Sequence, residues 1–263
     1  MCGLVAARFI GVTGNDRASL AAFDRWYFDY YPYIDGLIGF EDLSTIEVLE
    51  VGLGYGSVSQ RIAESGARFT GLDIAAGPVA GVAHRLRQSG LAGRAFQGSI
   101  LDPPFADASS DVIVSIGCYH HTGSLAKALA ESARLLRPNG RATLMVYDAT
   151  SYIQWLRRPH QTWTHVRAVA NGDDAPLALV AADDRLDFDA DSQGPAPPET
   201  VAVSKRHFER MLGRHFASVA VRRVNAIAHR LTQFMPRSVM LATVGPMLGF
   251  DLYAKISSPI RAK

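Results

Sequence analysis

Short apolar runs alternate with stretches of helical periodicity through the middle of the chain. Residues 45–51 (TIEVLEV), 68–73 (RFTGLD), 94–98 (RAFQG), 111–116 (DVIVSI) and 141–146 (RATLMV) have strand length and β-branched content. Between them, residues 57–65, 78–88 and 125–136 carry apolar side chains at helical spacing. This alternation predicts a parallel sheet with helices on both faces, because a parallel connection requires a crossover. The pattern loosens after Asp148. Residues 151–170 read as helical and aromatic, and 171–199 as a loop rich in Asp, Ala and Pro that ends on Pro195, Pro197 and Pro198. Ser204 is placed to cap a helix running through Leu212, with two more strands expected at 218–224 and 251–256. The apolar stretch 238–250 (SVMLATVGPMLGF), broken by Pro246, is expected in the core or facing a substrate.

The composition is that of a globular domain, with 263 residues, 48% of them hydrophobic and 20% charged. Such a chain buries roughly three quarters of its unfolded surface and needs neither disulfides nor a metal for a core. Disorder, collagen-like repeats and a disulfide scaffold are excluded. The net charge of +2 conceals a division, since residues 1–172 carry fifteen basic and fifteen acidic groups, 173–199 one against eight, and 200–263 eleven against two. Cys2 and Cys118 are the only cysteines. That usage, with no basic start leading into a long apolar run and no stretch of 18 apolar residues, leads to the expectation of a cytoplasmic protein without a membrane span.

The first strand runs directly into glycines and then a helix: Val48-Leu49-Glu50-Val51-Gly52-Leu53-Gly54-Tyr55-Gly56. Glycines there let a ligand approach the backbone, and the following helix presents free amides, so a nucleotide-like ligand is expected; a tight turn without a ligand is the plainer alternative. Asp73 ends the second strand 21 residues after Gly52, where a carboxylate can accept both ribose hydroxyls. A dinucleotide fingerprint would need a third glycine at position 57, which is Ser57. The spacing found, G-x-G-x-G with Glu50 two residues ahead, resembles motif I of the class I S-adenosylmethionine-dependent methyltransferases. Further marks follow in order over residues 45–148: Gly71-Leu72-Asp73, Gly98-Ser99, Pro104-Phe105, Asp111 to Ser115, His120-His121, and Leu135-Leu136-Arg137-Pro138-Asn139-Gly140. As a set they look closest to the ubiquinone/menaquinone C-methylase-like, small-molecule branch.

The resemblance implies an α/β fold: a Rossmann-like, doubly wound, seven-stranded, mostly parallel sheet with helices on both faces, an N-terminal helical lid and an insertion after the fifth strand. The chain is then one domain, with 1–44 as lid, 45–148 as cofactor-binding core, 149–203 as acceptor-side insertion and 204–263 as closing helix and strands. Carried over residue by residue, the resemblance gives Glu50 the methionine end of S-adenosylmethionine, and Gly52, Gly54 and Gly56 its path. Asp73 receives the ribose, Ile74 the adenine face, and Ser99, Ile100 and Ile116 the rest of the cofactor pocket. The family usually has Gly-Asp where this chain has Gly98-Ser99, so the adenine edge falls to the Ser99 hydroxyl or to the Ser99 and Ile100 backbone.

Methyl transfer leaves the protein to position a nucleophile and, where needed, remove its proton. His121 and His120 follow the fourth strand, beside the expected methyl position, and imidazole accepts a proton at neutral pH; capping the next helix or packing in the wall is the alternative for each. The aromatic segment from Trp26 to Tyr33 suits the lid, with Tyr30, Tyr31 and Tyr33 as acceptor contacts or as core. Trp155, with His160, Trp163 and His165, lies in the insertion, where acceptor specificity or plain packing is expected. Cys118 reads as a small buried side chain rather than a nucleophile. No His/Cys cluster has zinc spacing, and no metal is expected. The expected activity is methylation of a small organic acceptor, on oxygen before nitrogen or carbon, releasing S-adenosylhomocysteine. Behind it stand a tRNA-modifying enzyme, set back by the lack of a contiguous basic face, a dinucleotide oxidoreductase, set back by Ser57, and a non-catalytic cofactor-binding protein.

Overall fold

The computed structural model describes residues 11–173, 177–178, 200–226 and 234–260. The acidic stretch therefore lies almost wholly outside the described residues, as do Cys2 and the three prolines at 195, 197 and 198. Among the described residues seven strands form one sheet in the order β3-β2-β1-β4-β5-β9-β8. They are β1 (Glu47–Val51), β2 (Arg68–Asp73), β3 (Arg94–Gln97), β4 (Ser110–Ile116), β5 (Leu136–Tyr147), β8 (Phe216–Val224) and β9 (Asp251–Pro259). The first five pair in parallel, whereas β9 runs antiparallel between β5 and β8. The chain reverses its direction of travel across the sheet between β1 and β4, and such a switch opens a crevice at the carboxyl ends of those strands. A separate two-stranded pair joins β6 (Leu177–Ala178) to β7 (Val201–Ala202).

Alternation along the strands builds two cores. Leu49, Val51, Ile113 and Leu144 face α5 (Leu125–Leu135) and α8 (Lys205–Gly213). Val48, Phe69, Val112 and Val114 face α3 (Ser57–Glu64) and α4 (Ala76–Ser89). Helices on both faces follow from side chains that point alternately to either side of a strand.

The chain enters through α1 (Arg17–Tyr30), capped by Asp16, whose carboxylate accepts from the Ala18 and Ser19 amides at 3.0 Å each. A short helix, α2 (Ile34–Ile38), follows. Arg85 of α4 is 3% exposed and grips Asp24 of α1 at 2.8 and 3.1 Å, tying the entering helix to the sheet's helical layer.

Several expectations shift. Thr45 lies outside β1 with φ of 66°, its amide bonded to the Gly66 carbonyl, so the strand starts at Glu47. The Arg137 to Gly140 turn lies inside β5 as a bulge, because the register passes from Ser110 opposite Leu136 to Val112 opposite Arg141. The helical run 151–170 is two helices, α6 (Tyr152–Arg157) and α7 (Pro159–Ala170), because Pro159 disfavours helical backbone at Arg158, which sits at φ −139°, ψ 56°. Ser204 caps α8 as expected, accepting from the His207 amide at 3.3 Å. Pro246 does not break its segment, which forms α9 (Arg237–Leu248); the proline falls in the last turn, where the helix is ending. Nor is that helix core throughout: Met240 and Gly245 are buried, while Val239, Met247 and Leu248 face outward.

Candidate cofactor and acceptor site

A cavity of about 660 Å³ opens at the switch point, within the size range of small-molecule and cofactor sites. Its floor is the turn after β1. Gly52 adopts φ of 83°, and a Cβ there would fall 2.4 Å from Cβ of Cys118. Gly56 adopts φ of 86°, with Arg85 Cδ 2.8 Å from where its Cβ would stand. Both positions combine left-handed backbone with close neighbours, which explains why glycine occupies them. Around Gly54 no atom lies within 4 Å of such a Cβ, so that stretch of backbone is open to a ligand.

Two carboxylates face this floor. Asp73, at the end of β2, accepts from the Leu53 amide at 2.7 Å and the Ala75 amide at 2.8 Å. A carboxylate has about four acceptor positions, so capacity for two hydroxyl donors remains. Glu50 is 3% exposed and accepts from the Ser59 hydroxyl of α3. Burial raises its carboxyl to about 8, outweighing the lowering effect of the Ser59 bond. Among the described residues the lining includes no Lys or Arg, and its carboxyl groups are those of Glu50 and Asp73.

The far walls are aromatic. Phe23, Trp26 and Tyr27 of α1, with Tyr31 just beyond it, cover one side, and Tyr55 packs on Phe23 with ring centroids 4.4 Å apart. His121, Met145, Tyr147 and Tyr253 close the side beyond β4. Cys118 also lines the cavity, and burial pushes its thiol up to about 12, keeping it neutral near pH 7.

Eleven of the expected residues meet here: Glu50, Gly52, Gly54, Gly56, Asp73, Ile74, Ser99, Ile100, Ile116, His121 and Tyr31. Ile74 is 73% exposed, at the lip. Ser99 Oγ accepts from the Leu101 amide at 3.1 Å, which leaves its hydroxyl proton to donate. Four expected residues stand outside the lining. His120 is 1% exposed, packed behind His121 and against Tyr147 with centroids 4.1 and 4.0 Å away. Tyr30 turns away from the cavity beneath Arg237, whose guanidinium carbon lies 3.7 Å from its ring centroid. Tyr33 sits edge-on to Tyr253 at 5.6 Å, a layer behind the wall. Trp155 packs near Trp163 of α7 at 6.5 Å. Sequence reasoning passed over Phe23, Tyr55, Tyr147 and Tyr253. The helical spacing of 23, 27 and 31 marks the inward face of α1, whereas Tyr147 and Tyr253 meet only through the β5–β9 pairing.

A methyltransferase domain model matches residues 49–144. Demethylmenaquinone methyltransferase of Tropheryma whipplei is 33% identical over 103 residues, 39% of this chain and 42% of that protein. Fatty-acid O-methyltransferase of Mycolicibacterium smegmatis is 34% identical over 102 residues, 38% of this chain and 36% of that protein. The chain thus spans less than half the length of these relatives. Among solved structures, a protein of Pyrococcus horikoshii superposes with a TM-score of 0.56 at 14% identity, covering 89% of this chain and 90% of that one. An S-adenosylmethionine-dependent methyltransferase of Mesorhizobium loti gives 0.56 at 13% identity, covering 86% and 96%. Residues 49–144 thus form a methyltransferase domain, and the sheet order and the motifs on it are like those of the class I S-adenosylmethionine-dependent methyltransferases.

Proposed function

We propose that the protein transfers a methyl group from S-adenosylmethionine to a small, largely apolar or aromatic organic acceptor, with a hydroxyl or carboxyl oxygen favoured over nitrogen or carbon. The observation that carries this reading is the cavity lining, in which Glu50 and Asp73 are joined by no Lys or Arg among the described residues, Arg85 standing behind Gly56 in its ion pair with Asp24. Two acids and no cation suit a ligand bearing a sulfonium and an ammonium, and oppose the pyrophosphate of a dinucleotide. Asp73 would hold the ribose hydroxyls, Glu50 the methionine ammonium, and the Gly52–Gly56 turn the backbone path between them. Bound there, the cofactor supplies an activated methyl for in-line displacement by the acceptor.

The chain's own work is positioning and proton removal. Trp26, Tyr27 and Tyr31 shield the cavity from water and offer aromatic faces to the acceptor, while Tyr147 and Tyr253 bound it opposite. His121 is the histidine on the cavity wall and is assigned the acceptor's proton; His120 supports its ring from behind. The two relatives described above are named for demethylmenaquinone and a fatty acid, apolar molecules that such walls would suit. The domain division, with 1–44 as lid and 149–203 on the acceptor side, accords with α1 over the cavity.

Calorimetry with S-adenosylhomocysteine, followed by its release from S-adenosylmethionine with a naphthohydroquinone, a long-chain fatty acid and a sterol, tests the reading. Binding with turnover of one of these supports it; no binding overturns it, and binding without turnover on them favours a non-catalytic cofactor-binding protein. His121→Ala should lower turnover by about a hundredfold with cofactor affinity unchanged, the scale of a lost general base. Salt-sensitive retention of bulk tRNA on a filter would instead favour the nucleic-acid enzyme.

A further inference from the structure

The last turn of α1 is held by an arginine from the C-terminal part of the chain. The closing carbonyls of a helix need partners from beyond it, and α1 has no basic side chain in its last turn to supply one. The Tyr27 carbonyl accepts from the Tyr31 amide at 2.9 Å. That of Tyr30 accepts from Arg237, the first residue of α9, through Nε at 3.2 Å and Nη2 at 2.9 Å. The guanidinium carbon stands 3.7 Å from the Tyr30 ring centroid and 6.0 Å from that of Tyr31. The same group reaches the opposite wall, where Nη1 donates to the Ala226 carbonyl at 2.7 Å, just past β8, and Nη2 to Asn225 Oδ1 at 3.1 Å. Asn225 is fixed in turn, because its Nδ2 donates to Asp251 Oδ2 of β9 at 2.8 Å and both residues are buried. One planar fork thus ties the end of the helix that covers the cavity to the strand pair that supplies Tyr253 across from it.

Two arginines anchor α1, and they act at different points along it. Arg85 of α4 grips Asp24 near the middle. Trp26, Tyr27 and Tyr31, which face the cavity, all lie beyond that grip, so their place over the cavity depends on the second anchor. A cation at the end of α1 also meets the negative end of the helix dipole. The second anchor stands on a lightly seated element: of the twelve residues of α9, Met240 and Gly245 are buried. Contacts made by such elements are the first to open in a folded protein. We propose that Arg237 is a positioning residue, a latch that holds the last turn of α1, and with it Tyr31, over the Tyr253 side of the cavity. Its release opens that side to ligands while Arg85 keeps the rest of α1 in place. This rests on the reading of the cavity as a cofactor and acceptor site, and it gives a task to a residue that stands outside the lining and that no motif marks.

The test compares hydrogen exchange of the full-length wild type and Arg237→Met, which keeps an unbranched stem without the guanidinium, alone and with S-adenosylhomocysteine. Amides of residues 27–31 should exchange about tenfold faster in the variant, the scale of one lost hydrogen bond to a charged group, while those around Asp24 and in β1 and β4 change by less than about twofold. Stopped flow should show S-adenosylhomocysteine leaving about tenfold faster. With whichever of the three acceptors is turned over, KM should rise by about tenfold and kcat change by less than about twofold. Arg237→Lys, which keeps a cation beside the Tyr30 carbonyl, should recover most of the protection at 27–31. Equal exchange at 27–31 in wild type and Arg237→Met, an acceleration spread evenly over the sheet, or an unchanged release rate overturns the proposal. Failure of the wild type to bind S-adenosylhomocysteine removes the methyltransferase reading instead, and exchange of the unliganded proteins still decides whether Arg237 is the latch.

Discussion

Replacing Glu50 by Gln should make the unliganded protein more stable at neutral and alkaline pH, although the variant loses a group assigned to the cofactor. The carboxyl is held to about 8 in the fold against an ordinary 4.5, with desolvation the largest cause. A raised folded-state value means that the group favours folding below 4.5 and that this contribution is lost as pH climbs towards 8. At about 1.4 kcal/mol per unit of separation, the penalty for Glu50 is on the order of 4 kcal/mol at pH 8 and under about 1 kcal/mol at pH 5. Glutamine keeps the shape and can still accept from the Ser59 hydroxyl, but never ionises. Thermal melts should thus show Glu50→Gln above wild type by roughly 10 °C at pH 8 and by much less at pH 5, taking about 3 °C per kcal/mol for a domain of this size. Calorimetry on the same pair should show S-adenosylhomocysteine binding weakened by roughly 1.5 to 3 kcal/mol, because glutamine cannot ionise to pair with the bound ammonium as Glu50 can. A melting gain equal at both pH values would refute the burial argument, and unchanged affinity would refute the ligand assignment.

Asp73→Ala should weaken S-adenosylhomocysteine by about 1.5 to 3 kcal/mol in calorimetry, since the ribose acceptor and the cap of the Leu53 and Ala75 amides go together. Asp24→Ala leaves the Arg85 guanidinium, 3% exposed, without its carboxylate, and urea unfolding should show a loss of about 3 to 5 kcal/mol, with faster hydrogen exchange in α1. Gly52→Ala sets a Cβ 2.4 Å from that of Cys118 at φ of 83°, so stability should fall by at least about 1 to 3 kcal/mol.

Parts of the molecule governed by local rules could be read from the chain. Glu50, the three glycines and Asp73 lie within or at the end of strands whose neighbours share their pattern, so short stretches of sequence fix both the elements and the crevice they make. The lid divides at one residue: α1 ends at Tyr30, and a step of about 100° along a helix carries Tyr31 into the cavity and leaves Tyr30 under Arg237. An aromatic run shows that a face exists without showing which member turns inward. His120 and His121 present the same difficulty on a tighter turn. Tyr147 and Tyr253 were beyond reach for another reason, since each gains its place through the β5–β9 pairing of segments far apart in sequence, for which no local periodicity exists.

The position of β9 bears on how the protein is made. Among the described residues it is the last strand in sequence, yet it lies between β5 and β8, and it brings Tyr253 to the cavity. Arg237, shortly before it, donates to the carbonyl of Tyr30 across 207 residues of sequence at 2.9 Å. A nascent chain halted before Asp251 can form the parallel half of the sheet but exposes the open edge of β5 and has no finished wall opposite the lid. Cofactor binding during synthesis must therefore wait until residues 251–259 have left the ribosome, and until then the β5 edge is the place where a chaperone, or another unfinished copy, would pair.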